Sequence, residues 1–288
     1  MWAGDPEAGG WRRFLIADAF TDTPLEGNQL GVFPDARGLD EPLMQRAARE
    51  LNFSETVFFL PAERGGDVRV RIFTPGRELP FAGHPVLGSA FVLGEMLGTA
   101  AVNLETGLGP VPVELERDGD QITFGWMEQP IPVAEPYEGA ADLLKALALE
   151  RSGLPVELYP NGPRHVYVEL ASEADVARLK PDFRALGDLP ISVNCFAGRG
   201  ARWKTRMFAV FHGVAEDPAT GSAAGPLAVH LARYGRIGFG EEIEIRQGEE
   251  FGRPSRLYAR VEGSADRIER VLVGGSAVIV ARGEYRLR

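Results

Sequence analysis

Short runs in which apolar and polar residues alternate fill most of the chain, the pattern of half-buried strands. RRFLIADAF (12–20), GVFPDA (31–36), SETVFFL (54–60) and DVRVRIF (67–73) read this way, with further short strands near 100–105, 111–117 and 121–126. Helical spacing interrupts them. Asp40-Glu41-Pro42 opens a helix, with Asp40 as N-cap and proline in the first turn, and Leu43, Ala47 and Leu51 form its apolar face. HPVLGSAFVLGEML (84–97) is small and apolar all round, so it predicts a buried helix.

The second half repeats the mixture. It predicts a helix near 138–150, strand RHVYVEL (164–170), a helix near 173–180 capped by Ser172, and strands near 190–196 and 203–211. A helix near 219–234 follows, then the strands EIEIR, RLYARVE, SAVIVAR and EYRLR. Two α+β lobes result, each wrapping strands around one central helix.

Two stretches share a phrase. GHPVLGSA begins near His84 and EDPATGSA near Asp217, with Gly88-Ser89-Ala90 and Gly221-Ser222-Ala223 at the same offsets from a proline. The pattern Pro-x-x-Gly-Ser-Ala is short enough to arise by coincidence. Context adds weight: Arg71-Ile72-Phe73 precedes one copy, Arg206-Met207-Phe208 the other, and an apolar helical run follows each. A duplicated lobe is therefore expected.

Composition narrows the function classes. The 288 residues are 44% hydrophobic and 25% charged, ordinary for a globular protein and long enough for two domains. Net charge is −10 and the basic residues are scattered, so nucleic acid is not an expected partner. One cysteine, Cys195, excludes an intrachain disulfide and any mechanism using two thiols of one chain. The four histidines are far apart in sequence and no metal-ligand spacing occurs, so no metal is expected. The opening MWAGDPEAGGWRR lacks an apolar core, so no secretory signal is expected there, and no apolar run approaches the ~20 residues that span a bilayer. A cytoplasmic protein without a membrane partner follows.

Glycine and small hydroxyl residues at a helix start let backbone N–H groups approach an anion. Gly83 and Gly88 are placed for this in one copy, Gly221 and Ser222 in the other. Taken alone, each phrase reads first as an ordinary helix opening with small residues for close packing. Neither is a P-loop, and Thr220 replaces the first glycine of a nucleophile elbow. A Ser222–His84–Asp217 triad has no local support. Strand alternation places Glu55 in the row Phe53, Glu55, Val57, Phe59. A carboxyl desolvated there has its pKa raised, which suits a group that takes and gives protons near neutral pH. Read alone, Glu55 is first a strand-end carboxylate in water or paired with an arginine.

Together, ADAFTDTPLEGNQLGVF, LNFSETVFF, FTPGRELPFAGHPVLGSA, GPRHVYV, EDPATGSAAG and RQGEEFGRPS resemble the PhzF-like family of phenazine biosynthesis, related in fold to diaminopimelate epimerase. The resemblance runs almost the whole length. It implies two pseudo-symmetric lobes, one of residues 1–127 with the C-terminal strand 275–288, the other of 128–274. It also implies that the helix starts meet at a cleft. By it, Glu55 is the acid/base, His84 and Asp217 are its polar partners, and Gly83, Gly221, Ser222 and Asn28 bind substrate. The implied activity is a cofactor-independent isomerisation of a small carboxylate-bearing molecule, such as a dihydro-hydroxyanthranilate, in a homodimer. Related epimerases use a cysteine pair, which this chain lacks. Gly27-Asn28-Gln29 stands where the family usually has Gly-Asn-Pro. Two rivals stay open: a non-catalytic binding protein on the same scaffold, and a hydrolase using Ser222.

Overall fold

The structure is a computed structural model that describes residues 10–287. Residues 1–9, which include most of the opening read as no secretory signal, lie outside the described residues, as does Arg288 at the end of the EYRLR strand. In chain order the elements are β1 (Trp11–Ala19), β2 (Asn28–Phe33), α1 (Glu41–Leu51), β3 (Glu55–Leu60), β4 (Val68–Phe73), β5 (Glu78–Leu79), α2 (Gly83–Leu97), β6 (Ala101–Thr106), β7 (Gly109–Asp118) and β8 (Gln121–Gln129). There follow β9 (Glu135–Pro136), α3 (Ala140–Ala146), β10 (Glu157–Pro160), β11 (Arg164–Glu169), α4 (Glu173–Arg178), α5 (Phe183–Gly187), β12 (Ser192–Arg199), β13 (Arg202–Ala209), β14 (Val214–Asp217) and α6 (Gly221–Arg233). The chain ends with β15 (Glu242–Gln247), β16 (Ser255–Gly263), β17 (Ile268–Gly275) and β18 (Ala277–Arg286). It forms two compact units, one of the residues up to Glu128 and from Gly274 onward, the other Gln129–Val273.

Both units follow one pairing scheme. In the first, β1–β2 is antiparallel, β2–β3 parallel, β3–β4 antiparallel, β4–β5 antiparallel, β4–β6 parallel and β6–β7 antiparallel. The second repeats this step for step with β10–β11, β11–β12, β12–β13, β13–β14, β13–β15 and β15–β16. Side chains repeat as well. The Arg71 guanidinium lies 5.1 Å over the Phe73 ring, and Nε donates to Glu78 Oε1 at 2.6 Å. In the second unit Arg206 lies 5.1 Å over Phe208, and Nε donates to Glu216 Oε1 at 2.8 Å.

This register differs from the phrase that suggested duplication. Ile72 pairs with Leu79 and Met207 with Asp217, so Glu78-Leu79-Pro80 is equivalent to Glu216-Asp217-Pro218. The helices then start at Gly83 and Gly221, and His84 and Ser222 are both second residues. The true repeat is Glu-x-Pro-x-x-Gly. Pro85 lies inside its helix while Pro218 precedes its own, so Pro-x-x-Gly-Ser-Ala is a coincidence of wording.

In the first unit α2 touches β1, β2, β3, β6, β7 and β18, and its residues from Gly83 to Gly94 are buried, as the all-round apolar pattern requires. Gly88 allows the approach: a Cβ there would lie 2.8 Å from Leu30 Cδ2. On the other side of β3, Phe33, Phe58 and Phe73 pack with Met44, Ala47 and Ala48 of α1. Asp40 caps that helix, accepting from Leu43 N at 2.9 Å, and Asn52 ends it in the left-handed region. The buried stripe is Met44, Ala47 and Ala48, with Leu43 and Leu51 half-buried at its margins. The helix is thus turned slightly from the expected Leu43–Ala47–Leu51 face.

The second unit's core joins Leu143 of α3, Val176 of α4 and Leu186 of α5 to Val166, Val168, Val193 and Phe208 of the sheet. The helix expected near 173–180 is α4, and a further short helix, α5, follows it. Ser172 caps α4 as expected, but Pro181 forbids helical backbone before it, and Asp182 starts α5 afresh. SAVIVAR and EYRLR run together as β18, antiparallel to β1 along its full length.

Candidate active site

In the first unit the functional candidates converge on the start of α2. Glu55 opens β3 beside Leu30 of β2. Its carboxylate Oε2 lies 3.3 Å from His84 Nε2, with side-chain exposures of 14% and 4%. The other ring nitrogen, His84 Nδ1, lies 3.2 Å from the Asn28 amide nitrogen. Gly83 starts the helix without a side-chain cap, so the first-turn N–H groups are not consumed by one. Three of the expected residues therefore touch in a line: Asn28, His84, Glu55. Burial pushes the His84 pKa down to about 3, and a backbone hydrogen bond at Gln29 only partly opposes it. The ring is neutral at physiological pH. By alternation Val57 and Phe59 follow Glu55 on its face of the strand, and both are fully buried.

The second unit builds its helix start differently. Thr220 Oγ1 donates to Asp217 Oδ2 at 2.6 Å, fixing the carboxylate one turn ahead of α6. Gln247, at the end of β15, holds this turn with its whole amide. Its Nε2 donates to Asp217 O at 2.7 Å and to Thr220 Oγ1 at 2.9 Å, and its Oε1 accepts from Thr205 Oγ1 and Thr220 N. Gly248 follows with φ +79, and a Cβ there would lie 2.6 Å from Pro218 O, so this close approach needs glycine. Gln129 Nε2 donates to Gly221 O, and Asn161 Nδ2 to Ser222 O, both at 2.9 Å.

Ser222 Oγ lies 3.1 Å from His165 Nε2, and His165 Nδ1 lies 3.3 Å from Asn194 Nδ2. The serine's imidazole is thus His165, and the Asp217 carboxylate is engaged by Thr220. His165, Asn194 and Gln247 were not singled out from sequence. Their polar groups sit in strand patterns that read as core, and all three are buried. Cys195 is buried too, with its thiol pushed up to about 12 by burial, and acts as a small core hydrophobe.

A groove of about 1020 Å³ in the second unit lies apart from this cluster, lined by Arg151, Glu169, Asp175, Arg178 and Arg236 among others. Arg236 pairs with Glu169 and Arg178 with Asp175, so much of its charge is answered within the groove. Among the described residues, no set of His, Cys, Asp and Glu is grouped to hold a metal ion, and no helix is long and apolar enough to cross a membrane.

Residues 17–283 match the family model for phenazine biosynthesis-like proteins, PhzC-PhzF. The chain belongs to the PhzF family. It is 52% identical over 276 residues to the trans-2,3-dihydro-3-hydroxyanthranilate isomerase of Pseudomonas aeruginosa, covering 96% of this chain and 99% of that one. A crystal structure of a PhzF-family phenazine biosynthesis protein from Bacillus anthracis matches with a TM-score of 0.83 at 27% identity, covering 96% of this chain and 99% of that one. A hydroxyproline epimerase from Agrobacterium vitis shares the fold alone, with a TM-score of 0.64 at 12% identity over 96% of this chain and 92% of that one. This PhzF protein has the α+β, diaminopimelate epimerase-like fold and is an isomerase of a small molecule.

Proposed function

We propose that the protein isomerises trans-2,3-dihydro-3-hydroxyanthranilate, or a close analogue, by proton transfer through Glu55. The observation that carries this is the contact of Glu55 with His84 at 3.3 Å, in a chain 52% identical to an isomerase named for that substrate. Glu55 takes a proton from an activated ring carbon and returns one to another carbon, so the product is an isomer and no other reactant is consumed. His84 is neutral and stands beside Glu55 as a polar neighbour rather than as a counter-charge. Asn28 orients the ring through Nδ1. Gly83 contributes its helix-start N–H to substrate binding.

By the family resemblance Asp217 is a polar partner of the acid/base, and Gly221 and Ser222 bind substrate. The uncapped start of α6 and the Ser222 hydroxyl suit a carboxylate, because helix-start N–H groups and the helix dipole favour an anion.

Proton NMR in deuterated water tests the reaction. With the dihydro-hydroxyanthranilate, wild type is expected to place deuterium at a ring carbon. Glu55→Gln is expected to lose at least about a hundredfold in rate with an unchanged circular dichroism spectrum, the usual share of a general acid/base. Turnover equal to wild type in this variant would sink the mechanism.

The cytoplasm and a homodimeric assembly belong to the same reading. Light scattering is expected to give twice the chain's mass, and a monomer at working concentration would refute the dimer.

A further inference from the structure

We infer that His165 is a positioning residue: Asn194 holds it as the Nε2–H tautomer, and it thereby makes Ser222 a hydrogen-bond donor to the substrate. The substrate contact rests on the assignment of Ser222 made above; the tautomer does not.

The chain of reasoning starts at Asn194. Its side-chain nitrogen lies 3.4 Å from Val166 O, 3.4 Å from Ser192 O and 3.3 Å from His165 Nδ1. Two of these neighbours are backbone carbonyls, which only accept. Turning the amide over would place its oxygen against both, two buried O···O contacts with no proton between them. The NH2 end therefore faces this way, and its two hydrogens are shared among three acceptors. Nδ1 is one of those acceptors, so it carries no proton. A neutral imidazole has one proton, which then sits on Nε2. Burial, aided by the nearby His212, pushes the His165 pKa down to about 3, so the ring stays neutral.

Nε2–H points at Ser222 Oγ, 3.1 Å away, so the serine oxygen accepts. Its own hydroxyl proton is directed away from the ring. Ser222 is the second residue of α6, ahead of the first helical bond, which runs from Ala223 N to Thr220 O, so backbone N–H groups there lack helical partners. A hydroxyl donor thus joins backbone donors at one place. The opposite tautomer would leave Nε2 as an acceptor and draw the serine proton onto the ring, as a nucleophile requires. The same strand position in the first unit, across from Glu55 as His165 is across from Ser192, holds Leu30. The fold therefore has no intrinsic need for histidine here.

Long-range proton–nitrogen NMR on wild type with histidine rings labelled reads the tautomer directly, His165→Leu serving to assign the signals. Nδ1 bare and Nε2 protonated, without change from about pH 5.5 to about pH 9, is the expected result. A proton on Nδ1 would overturn the proposal and revive Ser222 as a nucleophile. In kinetics, His165→Leu is expected to raise KM about tenfold with a smaller change in kcat, the loss of one oriented donor to a charged group. His165→Gln, whose amide nitrogen can replace Nε2–H, is expected to recover most of that. Ser222→Ala is expected to match His165→Leu, with no further loss in the double variant. Unchanged KM in Ser222→Ala, with the tautomer as stated, would place the failure in the assignment of Ser222 to substrate. Unchanged KM in a folded His165→Leu, with Ser222→Ala impaired, would place it in the positioning role.

Discussion

Gln247 shows how much one side chain can decide at the candidate site. It donates to the Asp217 carbonyl and Thr220 Oγ1, and it accepts from Thr205 Oγ1 and Thr220 N. Removing it strands buried groups of the turn that carries Asp217. Each unsatisfied buried group costs about 1–3 kcal/mol, so Gln247→Ala is expected to destabilise by roughly 2–5 kcal/mol in urea unfolding. Turnover should fall with it, because the same turn sets the start of α6. A change under about half a kcal/mol would show that the turn holds itself. The apolar row drew attention to Glu55, but read alone it stayed a strand-end carboxylate, and only the family resemblance gave it a role. His84 and Ser222 were named the same way, because each phrase alone reads as an ordinary helix opening. Gln247, His165 and Asn194 were not singled out, since a single polar residue in a strand reads the same whether it faces solvent or a buried partner. The available signal was chemical: His165 and Tyr167 alternate onto one face of β11, so two polar rings there had to find partners.

At the level of elements, strands and the two long helices were readable because their apolar periodicity is strong. Duplication was readable from Arg71-x-Phe73 and Arg206-x-Phe208, which prove to be equivalent stacked pairs. The register of that duplication was not readable from the shared phrase. Identical letters caught the eye in Pro-x-x-Gly-Ser-Ala, whereas the chain had kept Glu-x-Pro-x-x-Gly, in which only three positions are constrained. The glutamate pairs with the strand arginine and the glycine is the first residue of the helix. The connection from strand to repeat is longer in the second unit and includes the 3-10 turn Val210–His212, which moved the two copies out of simple alignment. Correct register also exposes the division of chemistry. Ser192 stands where the first unit has Glu55, and Ser222 where it has His84. At these two positions one unit thus carries a carboxylate beside an imidazole, and the other carries two hydroxyls. The asymmetry suits a reaction with one acid/base and a separately held substrate anion.

For the whole molecule, the buried histidines make stability a function of pH. Burial pushes His84 and His165 down to about 3, and His230 to about 4 despite the nearby Glu157. The unfolded chain binds protons at these rings near pH 6.5, and the folded chain does not. Stability from them is complete above that pH and is lost as pH falls toward the folded values. By pH 5 each ring has cost about 2 kcal/mol, roughly 6 in all, against a typical total of about 5–15. The carboxylates Asp35 and Glu157, held low by Arg37 and by Tyr159 despite burial, give up their share only below about pH 4.5, so the two windows separate. Urea unfolding at intervals from about pH 7.5 to pH 5 is expected to show a steep loss, with nearly three protons taken up on unfolding at the acid end. His230 packs between Tyr159 and Tyr234, away from the groups assigned to chemistry, and accounts for one of the three. His230→Gln is expected to reduce the proton uptake by about a third while the enzyme stays active. An unchanged slope in that variant, or stability flat from neutral pH to pH 5, would mean that these rings take protons in the folded state, and the neutral-imidazole account of His84 and His165 would fall with it.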